Sequence, residues 1–113
     1  PAAQVRALFP GAPAFVQRDG HGPASPAALR SILQQTRQRG YAVESGQVTA
    51  GLSSVAQAVL DHTGHPAAAV AVTFRDEDVT ADQREDLVTA VARAAAELTR
   101  RLRGTRARAG VRP

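Results

Sequence analysis

A chain of 113 residues with 43% hydrophobic side chains and no cysteine has the size and composition of one globular domain, which excludes a disulfide framework and a thiolate metal site. Its aromatic residues are Phe9, Phe15, Tyr41 and Phe74, so the interior must be built from Ala, Val and Leu, with little bulk per residue. The net charge of +4 does not describe a nucleic-acid surface: six of the fourteen arginines lie between Arg100 and Arg112, where there is no acid, and residues 1–99 carry eight cations against ten anions. All fourteen cations are Arg and none is Lys, which fits codon bias better than selection for phosphate contacts.

In chain order, Ala2 to Phe9 reads as a short helix with Val5, Leu8 and Phe9 on one side, stopped by Pro10-Gly11. The chain begins at Pro1 without an initiator methionine, and is expected to be cut from something longer. Gly11 to Pro23 reads as a loop with at most one short strand around Ala14-Phe15-Val16. Ser25 as cap, Pro26 at the first helical position and Leu29, Ile32 and Leu33 on one face predict a helix that Gly40 closes. Arg30, Arg37 and Arg39 lie mostly off that face, where water solvates them.

The period then changes. Tyr41 to Glu44 is a predicted strand, Ser45-Gly46-Gln47 a turn, Leu52 to Asp61 a second strand, and Pro66 to Phe74 a third. The Asp61-His62-Thr63-Gly64-His65 turn makes the last two antiparallel. Arg75 to Asp78 is a polar loop. Thr80-Ala81-Asp82-Gln83 matches a capping box, and Leu87, Val91, Ala94, Leu98 and Leu102 form the apolar stripe of the final helix. The weakly polar run Pro66 to Phe74 is far too short to span a bilayer and no basic-then-apolar leader opens the chain, so the expectation is a cytoplasmic protein with no membrane partner.

Catalytic chemistry finds no foothold. Ser53-Ser54 lack a nucleophile elbow, and the histidines and acids give no triad order. Asp76-Glu77-Asp78, before a helix N-terminus, reads as a solvated loop and dipole partner rather than a pair of working carboxylates. Neither Gly-rich phosphate motif occurs. His62 and His65 have the spacing of a helical metal pair but lie in a turn, where that spacing has no ligand geometry, so no metal or other cofactor is assigned. What remains is a polar group on an apolar strand background: Glu44 ends one strand, Ser53 and Ser54 begin the next, and Thr73 ends the third. Their hydroxyls and the amides at the strand start suit a small carboxylate or hydroxyl ligand.

The order Ala28-Leu29-Arg30, then Arg39-Gly40-Tyr41-Ala42-Val43, then Gly51-Leu52-Ser53-Ser54-Val55-Ala56, then Asp61 to Thr73 with its Ala/Val run, resembles the C-terminal effector-binding domain of the IclR (isocitrate lyase regulator) family of bacterial transcription regulators. The resemblance runs from about Ala2 to Gly104. It implies an α+β fold, a GAF-like antiparallel sheet flanked by helices and incomplete at its N-terminal side. Residues 1–104 are then the C-terminal portion of the effector domain, and the acid-free arginine cluster at the chain end makes 105–113 a basic flexible tail, a solvated end rather than a DNA-gripping arm.

By the same resemblance, Glu44 stands where some members place an acidic pocket residue, and Ser54 where many place Cys or Ser beside a ligand carboxylate, with the amides of Leu52 to Ser54 sharing the contact. Ala71 and Thr73 correspond to two Ser positions on the third strand; Thr73 keeps a hydroxyl and Ala71 does not. Gln47 replaces a frequent acid and Ser53 a common Arg, so the pocket is less charged than the family pattern. The implied function is sensing of a small-molecule effector, such as an organic or aromatic acid, in a homo-oligomer (dimer or tetramer) that reaches DNA only through a winged helix-turn-helix this chain lacks. The alternative is a ligand-free dimerisation module.

Overall fold

Each predicted element forms, in the order α1 (Ala2–Leu8), α2 (Pro26–Arg39), β1 (Ala42–Ser45), β2 (Leu52–Leu60), β3 (Pro66–Arg75) and α3 (Ala81–Arg101). The computed structural model describes residues 1–17 and 20–102. The expected flexible tail at 105–113 lies outside the described residues. Ala14-Phe15-Val16, which the sequence allowed one short strand, instead adjoins a 3-10 turn at Ala12–Ala14, and Phe15 stacks on Phe9 with ring centroids 5.0 Å apart.

Local chemistry sets the helix ends. Ser25 Oγ accepts the Ala28 amide at 3.2 Å and Pro26 opens α2. Gly40 closes α2 in the left-handed region at φ 87°, donating its amide to Thr36 O at 2.8 Å, a conformation that penalises any residue with a Cβ. At α3, Gln83 N donates to Thr80 Oγ1 at 3.2 Å and Thr80 N to Gln83 Oε1 at 2.9 Å, so each end of the capping box satisfies the other.

Among the described residues, the strands make one antiparallel sheet in the order β1-β2-β3. Because side chains alternate along a strand, β2 divides cleanly: Ser53, Val55, Gln57 and Val59 are buried under α3, while Leu52, Ser54, Ala56, Ala58 and Leu60 face the other way. The register carries this division across the sheet. Val72 and Phe74 lie opposite Val55 and Ser53 on the helix side; Ala71 and Thr73 lie opposite Ala56 and Ser54 on the other.

The core is as thin as its composition requires: Val55 and Val59 from β2 meet Val91 and Ala95 from α3. The stripe of α3 that meets the sheet is not the leucine stripe expected. Val91, Ala95 and Thr99 are buried, whereas Ala94 is exposed and Leu98 and Leu102 are 41% and 47% exposed. Small side chains let the helix approach the sheet; Leu98 is turned to its flank, and Leu102 shares the direction of the stripe but sits at the C-cap, past the last helical residue. Glu85, Val88 and Thr89 border a groove with Tyr41 on the β1 side, so Leu87, Ala94 and Leu98, on the opposite flank of the helix, look toward the outer edge of β3.

One irregularity ties α3 to the sheet. The register shifts between Val59 and Leu60, a bulge that releases the Leu60 amide from the ladder, and Thr99 Oγ1 accepts that amide at 3.0 Å.

Candidate functional site

The face of the sheet opposite α3 is built in rows. Glu44, Ser54 and Thr73 form one row across the three strands by register; Ala42, Ala56 and Ala71 form the next, and Ala58 and Ala69 continue it. Four of the residues singled out in the sequence, Glu44, Ser54, Ala71 and Thr73, therefore share this face, and Leu52 joins them at its end beside Arg75. The hydroxyls of Ser54 and Thr73 hydrogen-bond to each other at 2.8 Å. Glu44 Oε1 accepts the amides of Gln47 at 2.7 Å and Val48 at 3.0 Å, so the same carboxylate that borders the face also orders the β1–β2 connection.

Two expectations need correction. Ser53 is on the other side of the sheet: it is 1% exposed, its hydroxyl donates to Asp76 Oδ1, and it lies 3.0 Å from Ser45 Oγ. The alternation that puts Ser54 on the open face forces its neighbour under α3. Nor do the amides of Leu52 to Ser54 form an anion cradle. β2 is the central strand, so its amides point at one neighbouring strand or the other, and Leu52 N donates to Thr49 O at 3.2 Å.

Asp76 likewise does more than solvate a loop. Its amide donates to Gly51 O at 2.9 Å, its carboxylate takes the buried Ser53 hydroxyl, and Arg84 approaches it at 3.5 Å while lying over the Phe74 ring. Asp76 thus joins the 3-10 turn Asp76–Asp78, β2 and α3. Sequence reasoning missed it because the acid run looked uniform; only the parity of Ser53 distinguishes Asp76 from Glu77 and Asp78.

At the β2–β3 turn, Asp61 Oδ1 accepts the Thr63 amide at 2.8 Å, the Thr63 hydroxyl at 2.6 Å and the His65 amide at 3.1 Å. The Thr63 hydroxyl bond, with the Thr63 amide, lowers the Asp61 pKa below its ordinary value. His65 Nδ1 lies 2.7 Å from Thr63 Oγ1, so the histidine pair belongs to a hydrogen-bonded turn. Among the described residues, no group of three or more His, Asp or Glu side chains is gathered to hold a metal ion.

Two grooves open onto the face. One, about 370 Å³, is bordered by Gly51, Leu52, Arg75 and Asp76; the other, about 470 Å³, lies where the end of α2 meets Ala42, Ala56, Ala58 and Ala69. Glu44, Ser54 and Thr73 line neither and stand between them. The second groove is within the usual range of small-molecule sites and is almost wholly apolar, with Thr36 and Arg37 contributed by α2. Arg37 is a residue that sequence reasoning left among hydrated cations; its place three residues before the helix-closing Gly40 was the available signal that it borders the sheet.

Among the described residues no helix is long and apolar enough to cross a membrane. The family model described as "Bacterial transcriptional regulator IclR C-terminal" matches residues 14–100. The chain is 35% identical over 82 residues to the acetate operon repressor of Salmonella typhimurium, covering 73% of this chain and 30% of that protein. It is 32% identical over 75 residues to the transcriptional repressor IclR of Escherichia coli, covering 66% of this chain and 27% of that one. It therefore spans under a third of the length of these two relatives. Among solved structures it is similar to the C-terminal domain of the E. coli transcriptional regulator KdgR, with a TM-score of 0.78 at 18% identity, over 91% of this chain and 62% of that one, a likeness of fold.

Proposed function

The chain belongs to the IclR C-terminal family of bacterial transcriptional regulators, and from that premise we propose that the α3-free face of its sheet is the floor of a small-molecule effector site. The observation that carries this reading is the row Glu44, Ser54, Thr73, three hydrogen-bonding side chains set side by side on an otherwise alanine-rich face. An apolar floor with a few convergent polar groups is the ordinary composition of a metabolite site. In an oligomer carrying DNA-binding domains, an effector that binds one arrangement of subunits more tightly than another shifts the population toward it, and only that difference in affinity moves DNA binding.

The test begins with a thermal-shift screen against small carboxylic acids, since binding to the native state raises stability by mass action. With a hit that carries a hydroxyl or amino group in hand, Ser54→Ala is expected to weaken its binding by roughly three- to tenfold, the worth of one neutral hydrogen bond, without lowering the unliganded melting temperature by more than a few degrees. Calorimetry giving the same affinity for Ser54→Ala and wild type removes Ser54 from the site.

A second reading has its own observation. The exposed Leu98 and Leu102 and the outer edge of β3, which among the described residues pairs with β2 alone, form an apolar border suited to subunit contact. In this reading the chain serves dimerisation without a ligand. Sedimentation showing a dimer that Leu98→Glu dissociates, together with a screen in which no small molecule shifts the melting temperature, favours it over the sensor.

A further inference from the structure

Resting on the sensor reading, we infer that Arg37 is the anion anchor of the effector site, and that the ligand lies along the sheet with its carboxylate at α2 and a hydrogen-bond donor at Ser54 and Thr73. This reverses the direction in which the family resemblance places the carboxylate.

Charge decides the direction. At the Ser54 end the adjacent side chain in the row is Glu44, whose Oε1 is held by two turn amides, leaving Oε2 as a further acceptor. Arg75, the nearby cation on that face, is already paired with Asp78 at 2.9 Å and lies 3.8 Å from Glu77. Among the described residues, an incoming carboxylate there meets an anion and no uncommitted cation, whereas a ligand hydroxyl or amine meets acceptors. The groove at α2 is the opposite: among the described residues, Arg37 is the one charged residue that lines it. Arg37 Nε donates to Leu33 O at 3.3 Å, which holds the guanidinium against the last turns of the helix, and among the described residues its terminal nitrogens have no carboxylate partner. A guanidinium so placed offers parallel donors to a carboxylate.

Spacing gives the ligand class. Ser54 and Ala58 are four residues apart on β2, roughly 13 Å along the strand, and Ala56 between them provides an apolar bed. The fitting ligand is a carboxylate on a flat apolar or aromatic body with a hydroxyl or amino group roughly 10 Å from the acid, allowing for the reach of the Arg37 side chain. Thr36 and Arg37 also border a separate cleft of about 450 Å³ between α1 and α2, which Arg6 and Arg30 line as well. A control must separate the two.

The probes are 4-hydroxycinnamate, cinnamate and methyl 4-hydroxycinnamate, within a wider panel of hydroxylated and plain carboxylic acids, titrated calorimetrically into the chain and its Arg37→Gln, Arg30→Gln and Ser54→Ala variants. The expected result is that Arg37→Gln lowers affinity for the hydroxylated acid roughly ten- to hundredfold, the worth of a charge-assisted contact, and leaves the weak binding of the ester unchanged. Ser54→Ala is expected to weaken the hydroxylated acid and leave cinnamate as it was, and Arg30→Gln to change neither. Unaltered affinity in Arg37→Gln overturns the anchor while the sensor stands, and loss in Arg30→Gln moves the site to the helical cleft and overturns it equally. Wild-type binding only to acids without a distal donor overturns the orientation. A wild type that binds no small molecule in the panel overturns the sensor reading itself, and the anchor with it.

Discussion

Thr99→Val removes one oxygen and keeps the shape of the side chain, so it isolates the bond that α3 makes to β2 opposite the bulge in β3. Thr99 is 4% exposed and accepts the Leu60 amide at 3.0 Å; without the hydroxyl that amide faces a methyl group. An unsatisfied buried donor costs about 1–3 kcal/mol, and because Leu60 is only half-buried the lower half of that range is expected, about 1–2 kcal/mol. Val and Thr are both β-branched with similar helix propensity, so little of the change comes from the helix itself. In urea unfolding this lowers the midpoint by roughly 1 M at an m-value of about 1–2 kcal/mol/M. Thr99→Ser keeps the acceptor and loses one methyl, so it should fall between wild type and the Val variant. The reasoning is refuted if Thr99→Val unfolds within about 0.3 kcal/mol of wild type, or if the Ser variant is as unstable as the Val one, since packing rather than the hydroxyl would then set the loss.

Val55→Ala opens a cavity where β2 meets α3 and is expected to cost about 2 kcal/mol in the same assay, a large share of the stability of so thin a core. Gly40→Ala forces a Cβ into a left-handed conformation with no atom within 4 Å to clash, so the loss of about 1 kcal/mol is conformational alone, and Gly40→Asn should recover part of it. Two exposed carboxylates set a pH response. The Thr63 bonds lower the Asp61 pKa, and the bonds from Arg100, then Arg101, lower that of Glu97 to about 2. Depressed folded-state values mean that their stabilisation is complete above the ordinary carboxylate range and is lost as pH falls through the folded values. Melting temperatures should therefore drop between pH 5 and pH 2, less steeply in Asp61→Asn and Glu97→Gln; parallel slopes in wild type and variants would disprove the assignment.

Element positions were legible because capping and turn chemistry are local. Ser25-Pro26, Gly40 and Thr80-Gln83 act on backbone groups within four residues, and the structure has each bond that their spacing predicts. What was not legible depends on the third dimension. The side of the sheet on which Ser53 lies is fixed by which face α3 covers, and nothing within the dipeptide Ser53-Ser54 selects it. The buried stripe of α3 is not the leucine stripe, because close approach of the helix to the sheet favours the smaller Val91, Ala95 and Thr99, a preference that leucine spacing does not carry. Arg37 is one of three cations off the apolar face of α2, and what sets it apart from Arg30 and Arg39 is that the end of the helix lies beside Ala56 and Ala58. The distinction between Asp76 and its acidic neighbours appears only when Ser53 is buried beneath it.

The outer edge of β3 gives the chain an internal reporter. Nine residues of this strand pair with β2 on one side, and on the other, beyond the bulge at Ala67, every second amide points outward with no strand partner among the described residues. In deuterated solvent those outward amides should exchange within the dead time while the inward ones are held, so β3 labels in alternation, one fast position and then one slow. If a further strand or a second subunit docks on that edge, the alternation vanishes and the whole strand slows together. Mass-resolved exchange on β3 thereby distinguishes an isolated chain from one seated in its assembly, even when the partner is itself invisible to the measurement.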